Sequence, residues 1–583
     1  METIQAILES KLRPAVGDSG GLPVTVQAAQ DTRFGDYQTN IAMQLAKARK
    51  ANPRAIAQEI IARLDVAEIS ETPEIAGAGF INFRIKSEAL ATHFASLVSD
   101  PRLGVPQVAP RKLVIDFSSP NVAKPMHVGH IRSTFLGDAL ARIGRFLGHS
   151  VVTDNHIGDW GTQFGMLCLA WKTIVDKAAL ERDPIGELER IYKLQNERCK
   201  SDSAAMDAAR AELVKLQNGD AENHAIWREM IRLSQVQFDT IYRRLDINFD
   251  HTLGESFYNP WLKDTVNELV QKGIARESDG AICVFSDSSV PEKEDPFLIK
   301  DENGWKPSPA LVQKADGASN YTTTDLATIA YRVREFAPDE IIYVTDGRQQ
   351  LHFRQFFTIW KRLHPDIAVK LSHVWFGSIL GEDGKPFKTR SGDTVKLADL
   401  LDEAEERAFK VVREKNPELP ETECREIGRI IGLGAVKYAD LLPNRQGDYV
   451  FSWDKLLSFQ GNTAPYLQNA YVRIRAIFRK AAEAGITTQA GTVNLTEPAE
   501  LALVKKLAQF GETLPAILED HRPNLLCNYL FELANAYHSF YEACPVLKAD
   551  EPARSSRLAL SDATARTLKT GLGLLGIEVP ERM

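Results

Sequence analysis

Between residues 111 and 455, short apolar runs alternate with stretches of helical periodicity, and this cadence limits the possible folds more than anything else in the chain. The runs are KLVIDF (112–117), SVVTDN (150–155), AICVF (281–285), EIIYVT (340–345) and HVWFG (373–377). Apolar on successive residues and separated by helices, they predict a mostly parallel sheet wound with helices, hence one α/β domain over 109–455. A charged, Ala-rich stretch at about 175–245 interrupts the cadence. It reads as a helical insertion, or equally as a solvated helical layer of the same domain.

The flanks differ in pattern. Residues 1–108 carry the helical segments IQAILESKL, NIAMQLAKA and AIAQEIIARL and then the alternating stretch AGAGFINFRI, which predicts a small α+β domain. DPRLGVPQVAP (100–110) reads as its linker. From 456 to 583 the strand signals vanish, and YLQNAYVRIRAIFRKAAEA, ELALVKKLAQFGETLPAILED and NLLCNYLFELANAYHSFYEA predict an all-helical domain.

A net charge of −8 over 583 residues argues against a protein that coats nucleic acid without selection, so no DNA partner is expected. A local basic face for RNA is compatible with that total. No apolar run approaches the roughly 18 residues that cross a bilayer, and the start METIQAILESKL has glutamates in place of a basic leader. A cytoplasmic protein with no membrane association is expected. The six cysteines form no CxxC pair, which predicts reduced thiols and no metal site.

The connection PNVAKPMHVGHIRST (120–134) lies between the strand KLVIDF and a helical pattern formed by Ile131, Phe135, Leu136, Leu140, Ile143 and Leu147. Such a loop stands at the carboxyl end of a parallel strand, where ligands bind and free N–H groups of the next helix attract anions. Gly129 would let a nucleotide approach the backbone, while His127 and His130 can donate to phosphate oxygens. Two histidines capping a helix would leave the same pattern.

HVGH resembles the HIGH signature of class I aminoacyl-tRNA synthetases, and SSPNVAKPMHVGHIRS together with DNHIGDWGTQFG (154–165) resembles the arginyl-tRNA synthetases. The resemblance runs over nearly the whole chain. It implies a Rossmann-type catalytic domain, an N-terminal domain that binds tRNA and a C-terminal helical domain that binds the anticodon. The implied substrates are L-arginine, tRNA and ATP as its Mg²⁺ complex, with no protein-bound metal or organic cofactor; a monomer is expected. It also implies that tRNA is bound before arginine is activated.

The second class I signature, KMSKS, departs here. GKPFKTRSGD aligns Phe387, Lys388, Thr389, Arg390 and Ser391 with its five positions, so Arg390 replaces the second lysine. Arginyl enzymes with this departure carry a lysine just upstream of the first signature, and Lys124 is that residue. The resemblance therefore gives Lys124, His127, His130 and Arg390 the catalytic positions, and Gly129, His352, Gly377 and Lys388 the ATP positions. It puts Asp116, Asn121, Tyr321, Asp325 and Gln349 around the substrate arginine. The i, i+4 spacing of Tyr321 and Asp325 sets a phenol and a carboxylate on one helix face; by itself Asp325 reads as a helix N-cap or surface acid and Asp116 as a strand-end acid, and the resemblance gives them to the planar guanidinium.

For tRNA, the pleat of FINFRI sends Ile81, Phe83 and Ile85 to one face and Phe80, Asn82 and Arg84 to the other. The second face combines an aromatic, an amide and a guanidinium, an RNA-reading composition, though a strand buried on both faces fits as well. Tyr466, with Tyr471 and nearby arginines, offers stacking and phosphate contacts in the helical domain; aromatics at helical spacing equally serve a core.

Overall fold

The computed structural model describes residues 1–29, 31–387, 394–486 and 493–583. They group into two compact units, one of residues 109–408 with 439–454 and one of residues 1–108, 409–438 and 455–583.

The first unit is built on a four-stranded parallel sheet of β1 (Lys112–Asp116), β2 (Ser150–Asp154), β3 (Glu340–Tyr343) and β4 (Lys370–His373), in the spatial order β4-β3-β1-β2. Leu113, Val114 and Ile115 are buried on both faces of β1, which is why this strand reads as an unbroken apolar run. The chain runs from β1 outward to β2 and later returns to β3 on the other side of β1. That reversal opens a crevice beyond the carboxyl ends of β1 and β3, where the register aligns Tyr343, Asp116 and Asp154.

Three helices frame the crevice: α1 (Ile131–Leu147), α2 (Tyr321–Phe336) and α3 (Gln350–Leu363). α1 is buried along nearly its whole length and ends on Gly148, whose φ of 100° terminates it. It seats against the end of β1 at Gly137, where a Cβ would lie 2.1 Å from Cγ of Phe117. The stretch 175–245 folds as four helices, Lys177–Arg182, Pro184–Ser201, Ser203–Gln217 and Ala221–Arg244. AICVF does not join the parallel sheet. Ala281–Val284 is the middle strand of a separate antiparallel sheet with Ala275–Ser278 and Ala310–Gln313, because a four-residue apolar run carries no information about its partner's direction.

In the second unit, Phe80–Phe83 is a central strand of a four-stranded antiparallel sheet, flanked by Tyr37–Thr39 and Glu74–Ala76. Five long helices follow in the C-terminal part, Ala464–Glu483, Pro498–Ala508, Phe510–Asp520, Asn524–Ala543 and Ala553–Leu574. The N-terminal part packs directly on them: Glu512 Oε1 accepts from the Tyr37 hydroxyl at 2.9 Å and the Gln5 N–H at 3.2 Å, and Lys505 pairs with Asp36 at 2.7 Å. Residues 409–438, expected with the α/β domain, pack in this unit instead. All six cysteines are buried free thiols. Among the described residues no helix is long and apolar enough to cross a membrane.

Candidate active site

The loop after β1 is shaped by backbone strain. Ser118, Ser119 and Ala123 hold φ of 72°, 47° and 63°, a region that side chains disfavour. Each N–H is paired with a side chain: Ser118 with Ser133 Oγ at 2.8 Å, Ser119 with Asn155 Oδ1 at 3.1 Å, and Ala123 with Ser234 Oγ at 2.9 Å. Asn121 bridges to Gly158 of the DNHIGDWG segment, with the Val122 N–H donating to the Gly158 carbonyl at 3.0 Å.

The two histidines cap the turn that leads into α1. Nδ1 of His127 accepts from the Gly129 N–H at 3.1 Å, and Nδ1 of His130 accepts from the His127 N–H at 3.1 Å. Burial lowers the pKa of both rings; Lys124 adds to the effect at His127, and His127 adds to it at His130, which is pushed down to about 3. Both are neutral at pH 7. At His127 the acceptor role of Nδ1 puts the neutral ring's proton on Nε2, from where it can donate, whereas Nδ1 of His130 lies between the His127 N–H at 3.1 Å and the His127 carbonyl at 3.2 Å and its role follows the tautomer. At His127 the capping and donor readings of the sequence are thus compatible, since opposite nitrogens serve them. Gly129 has a further role: a Cβ there would lie 2.8 Å from Nδ1 and Cε1 of His127, so its missing side chain makes room for that ring.

Lys124 is half-buried, with Nζ 4.8 Å from the ring centroid of Tyr192. Lys388 and Arg390 lie outside the described residues. The backbone that follows them returns to the first loop: the Val128 N–H donates to the Val395 carbonyl at 3.0 Å and the Leu397 N–H to the Met126 carbonyl at 2.9 Å.

Across the crevice stands an acidic group. Asp325 Oδ2 meets Nε2 of His352 at 2.5 Å, and Tyr321 one turn earlier on α2 is 66% exposed. Glu255, in the short turn Glu255–Tyr258, joins them: burial, then Asp325, then Asp159 push its pKa up to about 8, and the same Glu255 and Asp325 charges raise that of Tyr321 after burial. Asp159 holds the turn by accepting from the Ser256 N–H at 2.8 Å and hydroxyl at 2.6 Å. Among the described residues no lysine or arginine pairs with Glu255 or Asp325. Apart from the His352 ring at Asp325, this acidic group has no basic partner among the described residues, and its mutual repulsion favours a cation.

Asp116 does not belong to this group. Only 5% exposed, its Oδ2 takes Arg332 Nη2 at 2.6 Å, which also reaches Asp154 at 2.8 Å, and its Oδ1 takes the Ser119 hydroxyl at 3.1 Å. Its guanidinium partner is already supplied by α2, so the expected contact with a substrate is replaced by an internal ion pair.

Gln349 is exposed in the turn Gly347–Gln349 that opens α3. Gly377 lies where two backbones touch: a Cβ would be 2.6 Å from Asp448 Oδ1 and 2.7 Å from the Gly447 carbonyl oxygen, and its own carbonyl accepts from Arg132 at 2.9 Å. His373, at the end of β4, bonds the Thr345 hydroxyl at 2.8 Å and stacks on Phe353; burial lowers its pKa to about 4. Neither Glu255 nor His373 was found from the sequence, since LGESFY has no periodicity and His373 reads as an ordinary strand end. Among the described residues no group of three or more His, Cys, Asp or Glu side chains is placed to hold a metal ion.

In the other unit, Asn82 is 3% exposed and its Oδ1 has no hydrogen-bond partner among the described residues. The sheet buries Asn82 along with Ile81 and Phe83, so the expected reading of a base edge by this amide is not available; Phe80 is half-buried and Arg84 exposed. Tyr466 donates to Asn535 at 2.8 Å and lines a pocket with Arg473, Tyr537 and Tyr541.

The family model described as tRNA synthetases class I (R), catalytic domain, matches residues 93–453. An arginine–tRNA ligase of Chromobacterium violaceum is 46% identical over 587 aligned positions, covering all of both chains. The chain belongs to the arginyl-tRNA synthetase family. Models of the arginyl-tRNA synthetase N-terminal domain and the DALR anticodon-binding domain match residues 2–85 and 467–583. An arginine–tRNA ligase of Hahella chejuensis is 44% identical over the full length of both chains. Among solved structures, arginyl-tRNA synthetases of Plasmodium falciparum and Thermus thermophilus align over the whole of each chain with TM-scores of 0.83 and 0.81 at 28% and 26% identity. As an arginyl-tRNA synthetase the chain is a class I enzyme.

Proposed function

We propose that this arginyl-tRNA synthetase binds L-arginine by its guanidinium at Asp325, Glu255 and Tyr321 and activates it with ATP taken as its Mg²⁺ complex. A carboxylate oxygen of arginine attacks the α-phosphorus, the α–β bond breaks and pyrophosphate leaves. The terminal ribose hydroxyl of tRNA then attacks the carbonyl carbon of the adenylate, releasing AMP and giving arginyl-tRNA.

Supporting this reading are the two buried, neutral histidine rings at the turn into α1 and, at α2, the carboxyls of Asp325 and Glu255, which pair with no lysine or arginine among the described residues. The rings meet phosphate oxygens without adding a charge that would hold pyrophosphate after the break. Lys124, with Lys388 and Arg390 of the second loop, supplies the positive charge for the transition state. Asn121 and Gln349 face the amine and carboxylate of arginine, His352 orients Asp325 while flanking adenosine, and Gly377 takes the adenine side. Arginine's five donors engage two carboxylates and a phenol at once, and a charge-assisted contact contributes about 1.5–3 kcal/mol. A lysine side chain cannot span them.

Phe80, Arg84 and Tyr466 serve tRNA, and the enzyme acts as a cytoplasmic monomer whose activation step waits for tRNA. Arginine-dependent ATP–pyrophosphate exchange tests the reading. Exchange with arginine, not with lysine, and only when cognate tRNA is present is the expected result; exchange without tRNA removes the coupling, and none under either condition removes the assignment. Lys124→Ala should lower the exchange rate on the order of 100-fold or more with the fold intact.

A further inference from the structure

We propose that the helix Ala221–Arg244 is the element that gives the signature loop its active shape, with Ser234 and Tyr242 as positioning residues for the reaction. This rests on the reading of residues 120–130 as the loop that meets ATP phosphates.

Three non-glycine residues of the loop stand in left-handed backbone, and such a conformation persists only when its surroundings over-determine it. One of the three, Ala123, has its N–H held by this helix, and a second, Ser118, has its hydroxyl shared between this helix and Thr134 of α1. Ser234, fully buried, accepts from the Ala123 N–H at 2.9 Å and donates to the Met230 carbonyl at 2.8 Å, so its hydroxyl is satisfied on both sides. Tyr242, 4% exposed, meets the Ser118 hydroxyl at 2.7 Å and takes the Asn155 side-chain N–H at 3.1 Å.

The same helix reaches the second loop's anchor. Arg244 pairs with Asp402 at 2.7 Å and Glu405 at 2.9 Å on the helix Leu397–Lys415, whose first N–H is bonded to the Met126 carbonyl. A substitution in Ala221–Arg244 thus acts on Lys124 and His127 through the backbone between them, without touching substrate.

The test is a cycle read by arginine- and tRNA-dependent exchange, with thermal unfolding as the control. Ser234→Ala leaves the Ala123 N–H unpaired and should lower kcat by about 10- to 100-fold while the KM for arginine stays within about twofold. Ser234→Thr keeps the hydroxyl and should restore the rate. Adding Ala123→Gly to Ser234→Ala should recover about fivefold, because glycine adopts φ near 60° without the cost that alanine bears. A folded Ser234→Ala with unchanged kcat overturns the proposal, and so does a kcat loss that Ala123→Gly leaves untouched. Should Ser234→Ala fail to fold, Tyr242→Phe takes its place with the same expected loss. Wild-type protein without exchange would instead sink the proposed function, and full activity in Lys124→Ala would sink the reading of the loop.

Discussion

At the scale of single residues, the proposed arginine pocket turns on one carboxyl. Glu255 has its pKa raised to about 8 by burial and by Asp325 and Asp159, so at pH 7 it is protonated. A guanidinium favours the carboxylate, and binding must therefore expel a proton. The sign follows: arginine affinity rises with pH up to about 8 and then levels, so the KM for arginine should fall by up to about tenfold per pH unit below that value. Titration calorimetry of arginine in buffers of different ionisation enthalpy should register proton release near pH 7, and Glu255→Gln should abolish the release while raising KM about 10- to 100-fold. KM independent of pH between 6.5 and 8 would remove Glu255 from the pocket. Helical spacing puts Tyr321 and Asp325 on one face, but only the resemblance to the family singled them out from an ordinary N-cap or surface acid. Asp116 misled because a strand-end acid looks free until its partner, Arg332, arrives from 216 positions away. Asn82 misled because alternation assigns faces and not whether a face is open.

At the scale of elements, the unit from β1 through α1 to β2 could be read directly, since a buried strand, a Gly- and Pro-bearing loop and a 3.6-residue period each have a physical cause in the residues themselves. What could not be read was which helix shapes the loop, because a serine and a tyrosine hydroxyl inside an amphipathic helix look like ordinary core residues. The fit of α1 to β1 is tight enough to test. A methyl at Gly137 would fall 2.1 Å from Phe117, so Gly137→Ala should destabilise this unit by at least about 1–3 kcal/mol and move the signature loop with the helix. Denaturant unfolding together with exchange kinetics checks both. An unchanged midpoint would mean that α1 shifts without resistance.

At the scale of the whole chain, the order of three regions was visible in changes of periodicity, whereas their grouping was not. Residues 409–438 continue the pattern of the helices around them, and only packing assigns them to the unit that also holds both ends of the chain. Within that unit Glu512 sits between the N-terminal part and the C-terminal helices, its pKa raised to about 7 chiefly by burial. A carboxyl raised above its unfolded value contributes stability that is complete below about pH 4.5 and is lost as pH rises through 7. The unit's thermal midpoint should accordingly drop by roughly 2–5 °C between pH 6 and pH 8. Glu512→Gln keeps an oxygen for Tyr37 and Gln5 and should flatten the dependence; if it does not, other groups carry it. The strained loop also has a consequence in time. Its shape at Ala123 and Ser118 is set by residues 111 and 124 positions further along the chain. A ribosome adding about 5–20 residues per second needs roughly 6–25 s to make that interval. During it the nascent polypeptide already carries the HVGH sequence without that brace, so on the proposed reading its nucleotide site would become competent only after the brace has left the exit tunnel.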